Sequence, residues 1–381
     1  MNAYRSPWMT EDHDMYRDGV RKFLESEFLP QRDHWVEQGY PEKEYWKKAG
    51  AMGLLCPDVP AEYGGGGGDF GFDVITYEEL LRLCISSFGN GIQSIVAHYI
   101  VKYGTEEQKH RWLPGMASGD IITSIAMTEP GTGSDLQSIT TKAVRDGDEY
   151  VLNGSKIFIT NGYNANLVCV VCKTDPNEGA KGVSLLMCEV DDLKGFSRNK
   201  PLKKVGMKGQ DTCELFFDDC RIPIENILGG EEGQGFYQLM AQLPRERLII
   251  GVGAIAAVEA VLEQTIEYTK ERKAFKKPLI DFQNTKFKLA EIATEAKISR
   301  VFIDYCIGEL QEDRLDNETA SMAKWWCSEK QFEAAHQCLQ LHGGYGYMME
   351  YPVAHYFADS RVQMIYGGSN EIMKELISRS L

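Results

Sequence analysis

The sequence predicts a mainly helical α+β chain whose parts run helical, β and helical again. Three observations carry this. Long stretches near both ends repeat apolar residues at spacings of three and four, which gathers them on one helical face. Between them, short β-rich runs alternate with turn dipeptides. At 381 residues the chain has room for two or three domains. The shifts in composition divide it at 1–121, 122–230 and 231–381.

The first part reads as helical, with Leu54-Leu55 and the stretch from Ile92 to Tyr103 as examples. The run Gly64 to Gly68 lacks the Lys-Ser or Lys-Thr of a phosphate loop and reads as a flexible loop. In the second part, strands are predicted at Ser155 to Thr160, Leu167 to Lys173, Val183 to Val190 and Glu214 to Phe217. Asn153-Gly154 and Asn161-Gly162 read as hairpin turns. Several short strands with such turns predict a compact barrel or sandwich. In the third part, Leu248, Val252, Ile255, Leu262 and Ile266 form a core-facing stripe. Similar stripes over Leu289 to Tyr305 and Met322 to Leu339 predict a bundle of three or more long helices.

Charge and cysteine usage exclude several classes. Lys plus Arg is 41 against 56 Asp plus Glu, a net charge of −15, which argues against nucleic acid as a partner. No apolar run approaches the roughly 18 residues of a membrane span, and none is expected to insert. Met1 to Asp14 shows no signal core and no Arg-rich helix, so a cytoplasmic location, or a mitochondrial matrix location after processing, is expected. Cys169 and Cys172 sit three apart in a strand-like run, so they point to opposite faces and cannot share a metal. Buried, reduced cysteines and no metal are expected.

Several short motifs occur in a fixed order. They are Met127-Thr-Glu-Pro-Gly-Thr-Gly-Ser-Asp135, Asn153-Gly-Ser-Lys-Ile-Phe-Ile-Thr-Asn-Gly162 and Phe216-Phe-Asp-Asp-Cys-Arg-Ile-Pro223. Asn226-Ile-Leu-Gly229, Glu271-Arg-Lys-Ala-Phe275, Gln340-Leu-His-Gly-Gly-Tyr-Gly346 and Tyr366-Gly-Gly-Ser-Asn-Glu-Ile372 follow. Each is weak alone. Together, in this order and spacing, they resemble the acyl-CoA dehydrogenase family over essentially the whole chain.

The resemblance implies an N-terminal helical domain, a middle β-domain and a C-terminal four-helix bundle, with FAD between the last two. Thr128 would bond the pyrimidine end of the flavin and Thr160 the region of N5, with Phe158 stacked on the ring. The family often has Trp where Phe158 stands. Ser134 would sit by the pyrophosphate and touch substrate, with Met127 and Gly133 in the same loop. Arg272, Phe275 and Gln283 would reach the cofactor from a neighbouring subunit. Gln340, Gly343 and Gly344 would lie by its adenosine half, and Ser369 and Glu371 near it in the last motif. A shared cofactor site implies a homo-oligomer, a tetramer built as a dimer of dimers. Electron-transfer flavoprotein is the implied acceptor.

The reaction removes an α-proton from an acyl thioester while a hydride leaves the β-carbon, so a carboxylate must face the substrate. In many relatives that carboxylate is the Glu of Tyr-Glu-Gly-Thr. Here the matching residues are Tyr366-Gly367-Gly368-Ser369, and Gly367 has no side chain. Either the protein is a flavin scaffold without turnover, or the base comes from elsewhere. Leu243-Pro-Arg-Glu-Arg-Leu248 resembles the segment carrying the base in the long-chain and isovaleryl branches, and Glu246 takes the matching position. Pro244 predicts a helix start with Leu243 as N-cap, which would put Glu246 in the first turn, near the helix dipole. Its ordinary alternative is an ion pair with Arg245 or Arg247.

The Gly367 backbone N–H would still bond the thioester carbonyl, with Tyr366 and Gly368 beside the substrate. Arg247 would orient Glu246 or this loop, or make a structural salt bridge. Glu371 is the other nearby acid and reads as a first-turn helix residue. The expected substrate is a medium- or long-chain saturated acyl-CoA, oxidised to the trans-2-enoyl-CoA. A branched or terpenoid, citronellyl-type substrate is the alternative.

Overall fold

A computed structural model describes residues 4–379 and 381. Six helices come first: α1 (Glu11–Phe23), α2 (Arg32–Gln38), α3 (Lys43–Ala51), α4 (Phe70–Arg82), α5 (Asn90–Tyr103) and α6 (Glu106–Ser118). Thr10 and Thr105 open α1 and α6 with capping boxes, and Asp69 caps α4 by accepting from the Gly71 N–H. The predicted helix from Ile92 to Tyr103 lies within α5. Leu54 and Leu55 are not helical but follow α3 in a loop, where both are buried. Their apolarity reported burial, not helix.

Gly64–Gly68 is a packed loop rather than a flexible one. The N–H groups of Gly65, Gly66, Gly67 and Gly68 donate to the carbonyls of Pro60, Cys56, Val59 and Pro57. A Cβ on Gly65 or Gly66 would overlap the backbone of Val59 or Pro57. Glycine is present because two stretches of main chain lie against each other.

The middle part is one seven-stranded sheet. Its strands are β1 (Thr123–Ala126), β2 (Lys142–Asp146), β3 (Glu149–Thr160), β4 (Leu167–Lys173), β5 (Val183–Glu189), β6 (Phe196–Arg198) and β7 (Thr212–Pro223). β4 pairs with β1 in parallel and with β5 antiparallel. The antiparallel set β2-β3-β7-β6 joins it through the single pairing of Lys142 with Lys173. The sheet curls so that both halves enclose one core, including Leu152, Val170, Leu186, Leu215 and Phe217.

β4 shows the expected alternation. Cys169 and Val171 face the helical core, while Val168, Val170 and Cys172 face the sheet's own core. All ten cysteines are free and buried. Asn153-Gly154 is not a turn. It lies inside β3 at a register shift, a bulge. Asn161-Gly162 does turn the chain, but into β4, which does not pair with β3. The hairpin between β2 and β3 turns instead at Gly147-Asp148, in the Asp146-Gly147 context that marks such turns.

The last part holds α7 (Gly235–Glu271), the short pair β8 (Lys273–Ala274) and β9 (Lys277–Pro278), α8 (Gln283–Gln311), α9 (Asn317–His342), α10 (Pro352–Gln363) and α11 (Asn370–Ser378). α7 packs on α4, α8, α9 and α10. Leu248, Val252, Ile255 and Leu262 are all buried. By length and composition α7 could cross a membrane, contrary to the reading that no run approached that length. Yet 78% of its most apolar window is buried inside the molecule.

α7 starts at Gly235, so Leu243 is not an N-cap and Pro244 lies inside the helix. The proline removes one intrahelical N–H, and the bundle around the helix holds it continuous. Glu246 therefore lies beyond the first turn, where the helix dipole has little effect.

Arg300 on α8 ties three helices together. It donates to Glu78 of α4 at 2.5 Å and, through two nitrogens, to Glu259 of α7 at 2.9 Å. Glu78 also accepts from Arg17 of α1 at 2.6 Å. Removing one partner of a buried pair strands the other's charge, at a cost of about 3–5 kcal/mol. Arg300→Met should therefore lower the denaturant midpoint by that equivalent, and a midpoint within error of wild type would contradict this account.

Candidate active site

The three consecutive ionisable residues of α7 point to three different partners. Arg245 donates to Asp58 at 2.7 Å and Asp73 at 3.0 Å, and its guanidinium covers the Phe70 ring at 4.4 Å. Arg247 donates to Asn317 and, at 3.2 Å, to Ser321, both on α9. Glu246 accepts from the Tyr99 hydroxyl of α5 at 2.7 Å. Neither arginine forms an ion pair with Glu246 among the described residues. This removes the ordinary salt-bridge reading of Glu246 and the salt-bridge alternative for Arg247. Burial raises the Glu246 carboxyl above its usual range, against smaller opposing effects of the Tyr99 bond and the Arg247 charge.

Tyr366, Gly367, Gly368 and Ser369 form the turn between α10 and α11. Lys324, a fully buried residue of α9, donates to the Gly368 carbonyl at 2.7 Å and to Asn370 Oδ1 at 2.8 Å. Burial, then the nearby Arg247, brings the Lys324 ammonium down to about 8. Tyr366 donates to Gln363 at 2.5 Å. Gly367 has φ +64°, and a Cβ there would overlap Cδ1 of Ile250. Ile250 is one helical turn beyond Glu246 on the same face of α7. The space beside the vacant position thus belongs to the helix surface that carries Glu246.

Ser369 caps α11 by accepting from the Ile372 N–H at 3.4 Å, and Glu371 lies exposed in its first turn. Hydrogen bonds to backbone and to Ser369 hold its carboxyl below the usual range.

A second group gathers on the β-domain. Met127 and Thr128 follow β1, and the loop runs on through Gly133 and Ser134. Lys156, buried in β3, donates to the Met127 carbonyl and to Glu129, each at 2.9 Å. Glu129 also accepts from the Thr140 and Thr141 backbone N–H groups at 2.7 and 2.9 Å. The buried pair thus clamps the loop to the sheet. The Lys156 charge and these hydrogen bonds hold the Glu129 carboxyl down at about 2 despite its burial.

Phe158 sits at a register shift of β3 with φ +60° and is 63% exposed. A bulky residue at positive φ is strained, and strain of this kind clusters at ligand sites. Thr128, Ser134 and Thr160 make no side-chain hydrogen bond to protein among the described residues. A Cβ on Gly131 or Gly133 would meet nothing within 4 Å. Together these form an open cradle with an aromatic face and free hydroxyls, suited to a flat ligand with polar edges.

A third group lies at the ends of α7 and α9. Arg272 follows α7 and covers the Tyr345 ring at 5.4 Å, which draws it to the turn bearing Gly343 and Gly344. Gln340 is in the last turn of α9, Gln283 opens α8, and Phe275 is 91% exposed on the β8–β9 hairpin. No hydrogen bond or ring contact joins this group to the β-domain cradle among the described residues.

Sequence reading missed Tyr99, Lys156, Glu129 and Lys324. Glu129 and Lys156 stood inside quoted motifs but were assigned no work. Tyr99 and Lys324 gave no local signal, because their partners are distant in sequence.

Family models for the acyl-CoA dehydrogenase N-terminal, middle and C-terminal domains match residues 10–120, 124–220 and 233–381. The chain is 48% identical over 375 residues to the long-chain specific acyl-CoA dehydrogenase of Rattus norvegicus mitochondria, covering 98% of this chain and 87% of the relative. An acyl-CoA dehydrogenase structure from Geobacillus kaustophilus superposes with a TM-score of 0.96 at 47% identity, covering 99% of both chains. An Acidaminococcus fermentans structure, described as an electron transferring flavoprotein in work on flavin-based electron bifurcation, superposes with a TM-score of 0.94 at 33% identity, again covering 99% of both. The chain belongs to the acyl-CoA dehydrogenase family, whose members are FAD-dependent oxidoreductases.

Proposed function

We propose that Glu246 is the base of this dehydrogenase, taking the α-proton of a medium- or long-chain saturated acyl-CoA. One observation carries the proposal: Glu246 is a buried carboxyl on the face of α7 whose next turn, at Ile250, fills the space beside Gly367. Burial raises its proton affinity above that of an exposed carboxylate, the direction a general base needs. The Gly367 N–H is the proposed donor to the thioester carbonyl, steadied by Lys324 through Gly368. Tyr366 and Gly368 flank the substrate, and Arg247 braces α7 against α9 beside them.

FAD supplies the acceptor for the β-hydrogen as a hydride. The β-domain residues fit it: Phe158 offers a ring face, Thr128, Thr160 and Ser134 offer free hydroxyls, and Met127 and Gly133 shape the loop. Ser369 and Glu371 belong to the facing turn. Arg272, Phe275, Gln283, Gln340, Gly343 and Gly344 would serve a second copy's cofactor. An arginine suits a pyrophosphate, and the exposed Phe275 needs a cover. The assembly is therefore proposed as a homo-oligomer, a tetramer by family likeness. An electron-transfer flavoprotein is the proposed electron acceptor.

Lys156→Met leaves Glu129 buried without its cation and releases the Met127 carbonyl. The variant should keep its helix content but lose FAD on gel filtration, at least tenfold more readily than wild type. Unchanged FAD per chain by absorbance would contradict this.

Glu246→Gln is nearly isosteric and cannot accept a proton. Anaerobic reduction of bound FAD should slow by about 10²–10⁴-fold, with acyl-CoA binding retained. Near wild-type reduction would refute the base assignment and turn attention to Glu371. The same assay over straight, branched and terpenoid acyl-CoAs decides the substrate class.

Moving the carboxylate gives a paired test. Glu246→Gly with Gly367→Glu should stay inactive, because the new side chain meets Ile250 at a strained φ. Adding Ile250→Val, which removes Cδ1, should restore measurable turnover. Full activity in the double variant would show that the space beside Gly367 is open.

A further inference from the structure

We propose that Tyr99 is the positioning residue of the base, its phenol holding one carboxylate oxygen of Glu246 so that the other is left to take the substrate proton. This rests on Glu246 being the base. Both residues are buried, and the Tyr99 O–H donates to Oε1 at 2.7 Å. The hydroxyl has no other protein partner among the described residues, and Oε2 of Glu246 has none.

The pairing is held from both sides. His98, next to Tyr99, contacts Asp58 Oδ1 at 2.9 Å, while Arg245, next to Glu246, donates to Oδ2 of the same carboxylate at 2.7 Å. Arg245 also reaches Ser94, one turn back on α5, at 3.3 Å. α5 and α7 are therefore pinned at positions adjacent to the hydrogen bond, and its two ends cannot drift apart. Tyr99 also packs against Tyr103 at 6.3 Å between ring centroids.

The other groups that bear on Glu246 do not replace Tyr99. Arg247 acts on the carboxylate through its charge but donates no hydrogen bond to it among the described residues; its Nη1 bonds Asn317 and Ser321 instead. Cys169 on β4 is a buried thiol whose ionisation is pushed up by burial, so it stays neutral. Burial and the Glu246 charge push the Tyr99 phenol well above its usual range, so it remains a donor across the working range.

A hydrogen bond to the ionised form favours that form, so its loss must raise the Glu246 pKa. Only the ionised carboxylate can accept the α-proton. The rate therefore falls as pH drops through that pKa, and in Tyr99→Phe this acid limb moves to higher pH.

The test is stopped-flow anaerobic reduction of the holoenzyme by saturating octanoyl- or palmitoyl-CoA, whichever reacts faster, from about pH 5 to 10. In Tyr99→Phe the acid limb should move up by about one unit. On that limb the rate falls about tenfold per unit, and it returns to within a few-fold of wild type at alkaline pH. A hydroxyl with only a structural role would lower the rate by one factor at every pH, and an unmoved limb overturns the proposal. If Tyr99→Phe does not fold with FAD, site-specific 3-fluorotyrosine at 99, a stronger donor, must move the limb to lower pH. An unmoved limb there overturns it equally. Glu246→Gln separates the two readings. If that variant still reduces FAD, the base assignment fails; if it is dead while the limb stays put, only the role of Tyr99 fails.

Discussion

The structure depends on how α7 carries Arg245, Glu246 and Arg247 through the centre of the molecule. Successive helical residues point about 100° apart, so three adjacent side chains cannot share one partner. Each instead reaches a different layer. Arg245 goes to the N-terminal helices through Asp58 and Asp73, Glu246 to α5 through Tyr99, and Arg247 to α9 through Asn317 and Ser321. Buried charge is costly unless it is bonded, so each contact stabilises the packing around α7. The same three contacts place the carboxylate. The packed glycine loop belongs to this arrangement too, since it binds the backbone of 56–60 and so fixes Asp58.

The distribution of charge around Glu246 follows from the same layout. Arg247 and Lys324 are buried and have no carboxylate within ion-pair distance among the described residues. Burial lowers the pKa of both. Neither charge is neutralised by an ion pair; carboxylates act on them at longer range, Glu246 on Arg247 and Glu371 and Glu329 on Lys324. In the proposed reaction a negative charge leaves Glu246 and develops on the thioester oxygen. In that proposal the Lys324 ammonium at the Gly368 carbonyl sits beside the turn whose Gly367 N–H would take the thioester oxygen, and a water-poor setting magnifies its effect. The Arg247 charge acts on the Glu246 carboxyl and favours its ionised form.

Much of this was legible in the sequence. The helical stripes of α7, α8 and α9, the four strands and the opposed faces of Cys169 and Cys172 follow from periodicity alone. The first-turn place of Glu371 followed from helix-start signals, and the loop after Met127 stood out through its family resemblance. What failed has physical causes. Pro244 signals a helix start when only local rules apply, but burial of the long α7 overrides them. Asn153-Gly154 has turn composition, yet its strand neighbours continue on both sides and it becomes a bulge. Five glycines look flexible until the chain they touch is known. Tyr99, Lys324 and the Arg245 cluster were invisible because each pairs with residues far along the chain, and a single sequence does not show which distant residues meet.

The vacancy at Gly367 is therefore a consequence of packing as much as an absence of chemistry. A glycine at φ +64° lets the turn between α10 and α11 lie against Ile250, so that main chain rather than a side chain borders the substrate space. A carboxylate on that turn would have to displace Ile250 and pay the strain of a left-handed backbone. A carboxylate on α7 meets neither obstacle, because it stands on a rigid helix one turn away and finds a ready donor on α5. The two positions are thus alternatives. Filling one with a side chain crowds the other, and the packing of Ile250 on the glycine turn favours the proposed base on the helix.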